Sequence, residues 1–446
     1  MNGEWISGSL PGKKYLKATH SSGLQIYLYP MPGFSSNYAM FGTKYGSIDN
    51  EYTAPTGERV QLPEGIAHFL EHKLFESEEG DAFESYAKTG AYANAYTSFD
   101  RTCYLFSCAD RFYENLKILL NFVRTPYFTA KTVAKEQGII GQEIRMYRDM
   151  PSWRVLINML EGMFHHHPVK IDIPGTEQTI AEITDKLLYG CYEKFYNLSN
   201  MFLILAGDFD PQQVLDFIEK NLKSCPPQTV QKSLPDEPQT VVTHQTELKM
   251  QVYKPLFCLG FKQPFTGSRI SVQQAIYTAL LLKVLVGPAS PLYRTLLEKG
   301  LINEEFGVEH FTGRGFAVPM LEGESNNPEQ VRQLFLQEVQ RLRREGINER
   351  LFNAVKREAY GKGLVRFDSA EGVCAMLCDA VVEEYSLFEY FKVLHAATVQ
   401  NAEEMLSVFC EENAVLSVIR PLDANALSVY LQRAAPLPPL VLPCGG

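Results

Sequence analysis

A chain of 446 residues is too long for one compact hydrophobic core, and its 45% hydrophobic content suffices for more than one. The formal charge of −10, without a stripe rich in Lys and Arg, argues against a nucleic-acid partner. No apolar run is long enough to cross a bilayer, so we expect no membrane partner either.

The first half of the chain predicts strands that are followed by helices. The segments with the composition of strands are 24–29, 38–42, 91–96, 103–107 and the continuous apolar run 201–207. Helical periodicity occurs at 111–124, 129–147 and 211–221. This order of elements indicates a mixed α and β domain.

The segment His68-Phe69-Leu70-Glu71-His72 is the strongest functional signal in the chain. On a helix, residues four apart share a face, and Glu71 falls on the same side as the two His. Two imidazoles are good zinc ligands, and a free carboxylate can accept a proton from the water at the metal. The order H-x-x-E-H is the inverzincin pattern. The alternative is a helix whose two His and one Glu are merely solvated.

A third ligand is predicted on the helix 129–147, for which Thr129 is a candidate N-cap. Glu136 and Glu143 lie two turns apart on one face, with apolar residues between them. Carboxylates on an inward face are costly unless they meet a cation or hydrogen-bond donors. A catalytic zinc site needs three protein ligands and one open position. The alternative is that both carboxylates point into solvent.

A Pro-rich, polar stretch at 224–242 predicts a linker to a second half, which repeats the order of the first. The predicted strands there are 257–261, 306–310, 317–322 and 414–419, and the predicted helices are 271–285, 291–299, 328–344 and 348–365. The Pro-rich tail 434–446 is expected to be extended. We therefore predict a duplication with domains 1–223 and 243–446.

The second half lacks the metal motif. Where a counterpart of Glu143 would be expected, its helix reads Tyr360-Gly361-Lys362-Gly363. Its isolated His residues are interpreted as structural or surface side chains: His244, His310 and His395. In the first half, the run His165-His166-His167 precedes Pro168 and is predicted to be a loop rather than a second metal site.

Taken together, these segments resemble the M16 (pitrilysin, or insulinase) family of metallopeptidases. The segment Tyr92-Ala93-Asn94-Ala95-Tyr96-Thr97-Ser98-Phe99-Asp100-Arg101-Thr102-Cys103-Tyr104 is similar to the family's edge strand N-A-x-T-S-x-E-x-T-x-Y, with Asp100 in place of Glu. His167-Pro168-Val169-Lys170-Ile171-Asp172-Ile173-Pro174-Gly175 resembles a later H-P…G segment. The resemblance is closest to short bacterial members, of which one subgroup is named for its association with the aminopentanol modification of elongation factor P.

The resemblance implies an α+β fold of two homologous M16-type domains, each a mainly antiparallel sheet covered by helices, forming half of a clamshell chamber. It implies one zinc ion bound by His68, His72 and Glu143. Glu71 would be the general base, and Glu136 would steer a ligand. Asn94 and Ala95 would lie on the edge strand where a substrate peptide adds in extended form. The alternative for Asn94 is an edge residue without a ligand.

One departure from the family pattern concerns the second half. Many members carry a segment like R-E-K-x-G-L-x-Y, whose Arg and Tyr bind substrate and stabilise the oxyanion. This chain has Leu297 for the Arg and Asn303 for the Tyr, and Arg294, one turn earlier, is the remaining candidate. Because an oxyanion donor is costly to lose, we expect a second M16-like subunit, a zinc-less paralogue, to supply the pair; a homodimer is the alternative.

The sequence therefore predicts a zinc-dependent endopeptidase that acts on peptides or unfolded segments. Two other classes stay open: a non-catalytic scaffold subunit of a larger complex, and a non-peptidase zinc enzyme such as an autoinducer lyase. Nine cysteines without paired spacing, among them Cys374 and Cys378 on a helix that looks packed, predict reduced thiols. With no apolar stretch of signal-peptide type at the N-terminus, this favours the cytoplasm.

Overall fold

The computed structural model describes residues 1–53, 57–78 and 80–423. The strands are β1 (Gly3–Ser7), β2 (Lys14–Thr19), β3 (Gln25–Pro30), β4 (Asn37–Thr43), β5 (Glu51–Thr53), β6 (Arg59–Gln61), β7 (Glu76–Ser77), β8 (Gly80–Asp81), β9 (Tyr92–Thr97), β10 (Thr102–Cys108), β11 (Met201–Gly207), β12 (Gln245–Met250), β13 (Leu256–Phe261), β14 (Gly307–Gly313), β15 (Phe316–Glu324) and β16 (Ala414–Pro421). The predicted extended tail 434–446 lies outside the described residues.

The helices are α1 (Ile66–Leu74), α2 (Ala82–Thr89), α3 (Phe112–Val123), α4 (Ala130–Arg148), α5 (Pro151–Met163), α6 (Glu177–Ala181), α7 (Asp185–Phe195), α8 (Pro211–Asn221), α9 (Val272–Val286), α10 (Pro291–Glu298), α11 (Pro328–Glu345), α12 (Glu349–Val365), α13 (Ala370–Val382), α14 (Leu387–Ala396) and α15 (Val399–Glu404). Within the described residues no single helix is both long and apolar enough to span a membrane. Among the helices of the described ranges, only α9 and α10 taken together satisfy those criteria, and they are bent by 43° at their junction.

The first half forms a seven-stranded sheet in the order β1-β2-β3-β11-β4-β10-β9. All neighbouring strands are antiparallel except β3 and β11, which are parallel. β11 is buried along its whole length in the middle of the sheet, where Ile204 lies opposite Tyr27 on one side and Met40 on the other. A continuous apolar run is what a strand covered on both faces requires. The predicted buried strand at 201–207 is confirmed.

The second half repeats this arrangement in a five-stranded sheet with the order β12-β16-β13-β15-β14. Again one neighbouring pair, β12 with β16, is parallel and the others are antiparallel. This is the order β3-β11-β4-β10-β9 of the first sheet, so the predicted duplication and the α+β fold class are confirmed. The boundaries 1–223, 224–242 and 243–446 stay a prediction.

A helix from each half of the chain packs on one face of the sheet of the other half. α5, from the first half, packs on β12, β13 and β16 of the second sheet. α13, from the second half, packs on β4 and β11 of the first sheet. The approach of α5 is close, because a Cβ added at Gly260 in β13 would lie 2.6 Å from Met159 Sδ. The two halves therefore share two of their four cores.

The predicted linker at 224–242 contains no helix or strand and is anchored to both halves. Glu237 accepts backbone N–H groups at 2.9, 2.7 and 2.8 Å from His165, His166 and His167. Its carboxylate also pairs with the buried Lys262 at 2.6 Å. The three His lie in the loop that follows α5, as predicted. The backbone N–H groups of this loop thus bind the Glu237 carboxylate.

Candidate metal centre and active site

α1 carries the H-x-x-E-H residues into the interior of the first half. It begins after Gly65, whose φ of 86° is in the left-handed region, and a Cβ there would collide with the backbone of Pro174. The helix packs on β9, β10, α4 and α7. His68 and Glu71 are buried as a result, while His72 is a quarter exposed.

α4 brings the two predicted carboxylates to α1. Thr129 is its N-cap, as predicted, since the Thr129 hydroxyl accepts the Thr132 N–H at 3.2 Å. Glu136 is buried and Glu143 is 23% exposed, so both point inward rather than into solvent. Of the apolar residues between them, Ile140 is buried and the side chain of Ile139 turns outward.

The ligand atoms of His68, His72 and Glu143 all lie within 4.8 Å of one another. His68 Nε2 is 3.6 Å from Glu143 Oε1, and His72 Nε2 is 3.5 Å from Glu143 Oε2. Two imidazole nitrogens and one carboxylate that converge in this way form a donor set that suits zinc. The structure brings together the three residues that the sequence predicted as ligands and shows that they could hold a metal ion.

Glu136 orients the ring of His72 from the opposite side. Its Oε1 lies 3.0 Å from His72 Nδ1, which donates its proton because the carboxylate can only accept. The lone pair of Nε2 therefore faces Glu143. Burial opposes protonation of His72, but the hydrogen bond that it donates to Glu136 and the nearby carboxylates raise its pKa above the ordinary value. Burial alone would raise the pKa of Glu136, and its bond to His72 lowers it instead.

Glu71 lies beside this cluster and is held by a residue of the edge strand. The Thr97 hydroxyl donates to Glu71 Oε2 at 2.9 Å. Thr97 is the last residue of β9, the strand that the sequence predicted to receive substrate. A buried carboxylate with one fixed hydrogen bond is pre-oriented for proton transfer. Sequence reasoning gave Thr97 no role, because the contact depends on how β9 packs on α1.

Tyr147 is a second residue of the site that sequence reasoning missed. Tyr147 lies one helical turn after Glu143 on α4 and is among the groups that lower the pKa of the Glu143 carboxyl, after His68 and His72. Burial and the adjacent Glu143 raise the pKa of Tyr147, so it stays a protonated donor at neutral pH. The spacing of four residues on one helix was the signal that could have found it.

β9 is the edge strand of the first sheet, as predicted. Asn94 is exposed, and its Oδ1 accepts the N–H of Ala95 at 2.9 Å. Asn94 Nδ2 also donates to the Tyr92 hydroxyl at 3.3 Å. The Asn94 side chain thus accepts a hydrogen bond from a backbone N–H of its own strand.

The segment at the position of the family's Arg and Tyr lies in the helical layer of the second half. Leu297 and Arg294 are exposed on α10, which packs against α9 and α11. Asn303 donates from Nδ2 to Glu324 Oε2 at 3.0 Å. Leu297, Arg294 and Asn303 thus belong to the helical layer of the second half and are not part of the cluster around Glu143.

Models of one peptidase family match both halves of the chain. The insulinase (peptidase family M16) model matches residues 55–177, and the peptidase M16 inactive-domain model matches residues 182–359. The uncharacterized zinc protease YmfH of Bacillus subtilis (strain 168) is 39% identical over 393 residues, which cover 86% of this chain and 91% of that protein.

Solved structures agree with this assignment. An M16-like peptidase from Alicyclobacillus acidocaldarius has a TM-score of 0.88 and 32% identity, with 94% of this chain and 100% of that chain covered. A chain of Complex III2 from Candida albicans has a TM-score of 0.73 and 14% identity, with 92% and 98% covered, and shows the fold alone. The chain described here belongs to the M16 peptidase family, and its relatives include proteins named zinc proteases.

Proposed function

We propose that this chain is a zinc-dependent endopeptidase that cleaves peptides or unfolded segments. The observation that carries the proposal is the convergence of His68, His72 and Glu143 within 4.8 Å, with Glu71 buried beside them and outside the ligand set. Three ligands leave a fourth position for water or substrate, which is the arrangement of catalytic rather than structural zinc sites. The donor set is sufficient for one ion.

The side chains of the site divide the chemistry between them. When bound, zinc would acidify a water molecule and polarise the peptide carbonyl. Glu71 would accept a proton from the attacking water and pass it to the leaving amine nitrogen. Thr97 holds the Glu71 carboxylate in place, and Glu136 holds the ring of His72, so neither group has to reorient during the reaction.

The edge strand β9 would align the substrate. An extended peptide that adds to this edge gains backbone hydrogen bonds irrespective of its sequence, which suits unfolded segments. In this interpretation the Ala95 N–H is released from Asn94 and donates to the peptide, and Asn94 turns to contact it. Because Thr97 lies on the same strand, the peptide would be placed in register with the base.

We further propose that the active form contains a second M16-like subunit, a zinc-less paralogue, with a homodimer as the alternative. The two halves would then form one side of a chamber that the second subunit closes. Leu297 and Asn303 leave this chain without the family's Arg and Tyr, so the partner would supply the oxyanion donors. We place the assembly in the cytoplasm, without nucleic acid or membrane as partner; the free cysteines of the described residues support reducing surroundings.

The partner proposal is tested by the kinetics of the isolated chain and of the reconstituted pair. Oxyanion stabilisation acts in the transition state, so adding the partner should raise kcat more than it changes KM. If the isolated chain cleaves unfolded peptides at a rate that the partner does not improve, the complementation idea is wrong.

The metal proposal is tested by zinc analysis of purified variants. The parent should hold close to one zinc per chain, and His72→Ala should lose it while keeping the fold. His395→Ala, at an exposed position of α14, is the matched control and should retain full zinc. Full zinc retention in His72→Ala would end the ligand assignment.

A non-catalytic scaffold is the second candidate function. It is favoured by the match of the peptidase M16 inactive-domain model to residues 182–359. Turnover of a quenched peptide library by the zinc-loaded protein, alone and with its partner, distinguishes the two functions. Zinc binding without turnover under both conditions would favour the scaffold.

A further inference from the structure

A pocket of about 200 Å³ lies in the second half, where the counterpart of the metal site would be. The repeat defines this position: β14 is the edge of the second sheet as β9 is of the first. In the same way, α9 packs on β14 and α12, as α1 packs on β9 and α4. The pocket is lined from α9, α12 and β14. The second half thus keeps a concave site at this position, with other residues in place of the metal ligands.

Most of the pocket wall is apolar. An engineered apolar cavity of about 150 Å³ is large enough to take up benzene, so this pocket can hold a six-membered ring with a short substituent. The larger aliphatic side chains of the wall are Ile270, Val272, Ile276, Leu280 and Leu394. A ligand that fits this wall must bury a compact apolar body.

Lys283 supplies a positive charge at the pocket. It is the one charged residue of α9 and forms no ion pair among the residues that the structure describes. The nearby Glu358 on α12 is hydrogen-bonded to Lys362, which lowers the pKa of Glu358 more than Lys283 does. Glu383 also lines the pocket, but its carboxylate is paired with Arg269 at 3.1 Å. A second cleft of about 280 Å³ shares Lys283 with the pocket and so extends the space around the ammonium group. The charge balance therefore favours an anionic ligand.

The adjoining cleft adds two further cations, and both already have partners. Lys362 pairs with Glu358 at 2.6 Å, and Arg366 lies 3.6 Å from Asp379. Of these three cations, Lys283 is therefore the one without an ion pair among the described residues, and it can meet a ligand carboxylate.

His310 on β14 supplies a hydrogen-bond acceptor. Its Nδ1 lies 3.1 Å from the carbonyl oxygen of Ala275 and must donate there, because a carbonyl can only accept. The other nitrogen, Nε2, is consequently a lone-pair acceptor, and it is buried without a partner among the described residues. Burial lowers the pKa of His310 to about 4, so the ring is neutral at physiological pH. His310 Nε2 could therefore accept a hydrogen bond from an O–H or N–H group of a ligand.

We propose that this pocket binds a small organic anion with an apolar ring or branched body and one hydrogen-bond donor. The ligand carboxylate meets the Lys283 ammonium group, the apolar body lies against α9, and the donor faces His310 Nε2. A phenolic acid has this chemistry. The inference does not depend on the peptidase function, since binding can be measured without zinc or peptide.

Calorimetric titration of the full chain with 3-(4-hydroxyphenyl)propionate tests the proposal, and 3-phenylpropionate serves as the analogue without the donor. We expect saturable binding of one molecule per chain, with the hydroxylated acid bound several-fold more tightly. Lys283→Gln should weaken binding about tenfold or more through the lost charge-assisted contact. Lys299→Gln, an exposed Lys at the end of α10, is the control and should bind like the parent.

Two further variants separate the pocket from a non-specific effect of charge. Ala279→Leu fills the pocket from α9 without changing charge and should abolish binding while the fold, checked by circular dichroism, is retained. His310→Leu should remove the preference for the hydroxylated acid. The proposal is overturned if neither acid binds saturably, or if Ala279→Leu and Lys283→Gln bind like the parent. Equal affinity of the parent for the two acids would overturn the role of His310.

Discussion

His72 is contacted by both carboxylates of α4 at once. Glu136 binds its Nδ1 at 3.0 Å, and Glu143 lies 3.5 Å from its Nε2. The first contact fixes the tautomer and the ring plane, so the second nitrogen is oriented before a metal arrives. Partners of this kind tune a metal site almost as strongly as the ligands do.

Glu136→Gln should therefore weaken zinc binding without removing a ligand. The amide can present its NH₂ group to Nδ1 and favour the wrong tautomer, and we expect a loss of about 10- to 100-fold in metal affinity. Competition with a chromogenic chelator measures it. Glu182→Gln, at an exposed position, is the control. Affinity equal to the parent would show that Glu136 does not orient His72.

Thr97→Val should lower kcat by about tenfold and leave KM and zinc content unchanged. The substitution keeps the shape of the side chain and removes the hydroxyl that donates to Glu71 at 2.9 Å, a hydrogen bond to a charged group. Thr97→Ser, which keeps the hydroxyl, should restore most of the rate. A rise in KM with kcat unchanged would instead assign Thr97 to substrate binding.

The metal-centre residues could be predicted because their spacing along a helix determines their geometry. His68, Glu71 and His72 share a face of α1 by periodicity alone, and Glu136 and Glu143 share a face of α4 in the same way. That the two helices meet at one metal ion was implied by the resemblance to the M16 family. Thr97 could not be predicted, since its contact with Glu71 requires knowing which strand packs beside α1. Residues that are close in space but distant in the sequence leave no periodic signal.

The two sheets were predictable from the sequence, and the two exchanged helices, α5 and α13, were not. β11 is a continuous apolar run and β16 is apolar up to Ile419 apart from Ser417, and the repeated order of elements indicated the duplication. α13 is apolar on nearly every face, because it is buried between the first sheet and its own half. Such a helix has no polar side from which to infer its neighbour. β12 was missed because its side chains are mostly exposed.

The ion pair of the linker residue Glu237 should make the stability of the protein depend on pH. Burial opposes ionisation of Glu237, but Lys262 and three backbone N–H groups outweigh it and lower its pKa from 4.5 to about 2. Because the folded-state pKa is below the unfolded value, Glu237 stabilises the protein above about pH 4.5, and this contribution is lost as the pH falls towards 2.

Glu237→Gln should accordingly lower the free energy of unfolding by about 2 kcal/mol near neutral pH. The difference from the parent should shrink as the pH falls below about 4.5. Urea unfolding at neutral and acidic pH measures both effects, with Glu58→Gln, at an exposed position, as the control. A difference that is constant over this range would contradict the ion-pair explanation.

The exchange of α5 and α13 makes the two halves of the molecule interdependent. Without α13, the face of the first sheet formed by Tyr38, Met40 and Phe202 would be open to solvent. Without α5, the second sheet would expose its own apolar face, including Cys258 and Val415. Exposed apolar faces of this size favour aggregation. We therefore expect the duplicated halves to be repeats in topology and not separate folding units.

Residues 1–223 and 243–446, produced separately, should each fail to fold, and the intact chain should unfold in one cooperative transition. Co-expression of the two pieces should restore a folded complex. Near-ultraviolet circular dichroism and thermal unfolding of each sample test this. Cooperative unfolding of either half on its own would show that the shared cores are dispensable.

The most direct test of the peptidase account is turnover of a quenched unfolded peptide by zinc-loaded protein and by zinc-loaded Glu71→Gln, each with the partner subunit present. Removing a general base typically lowers the rate by about 100- to 10,000-fold. We predict a loss of that size, with zinc content and fold equal to the parent. Turnover by Glu71→Gln within a few-fold of the parent would contradict the account, because Glu71 would then not be the base.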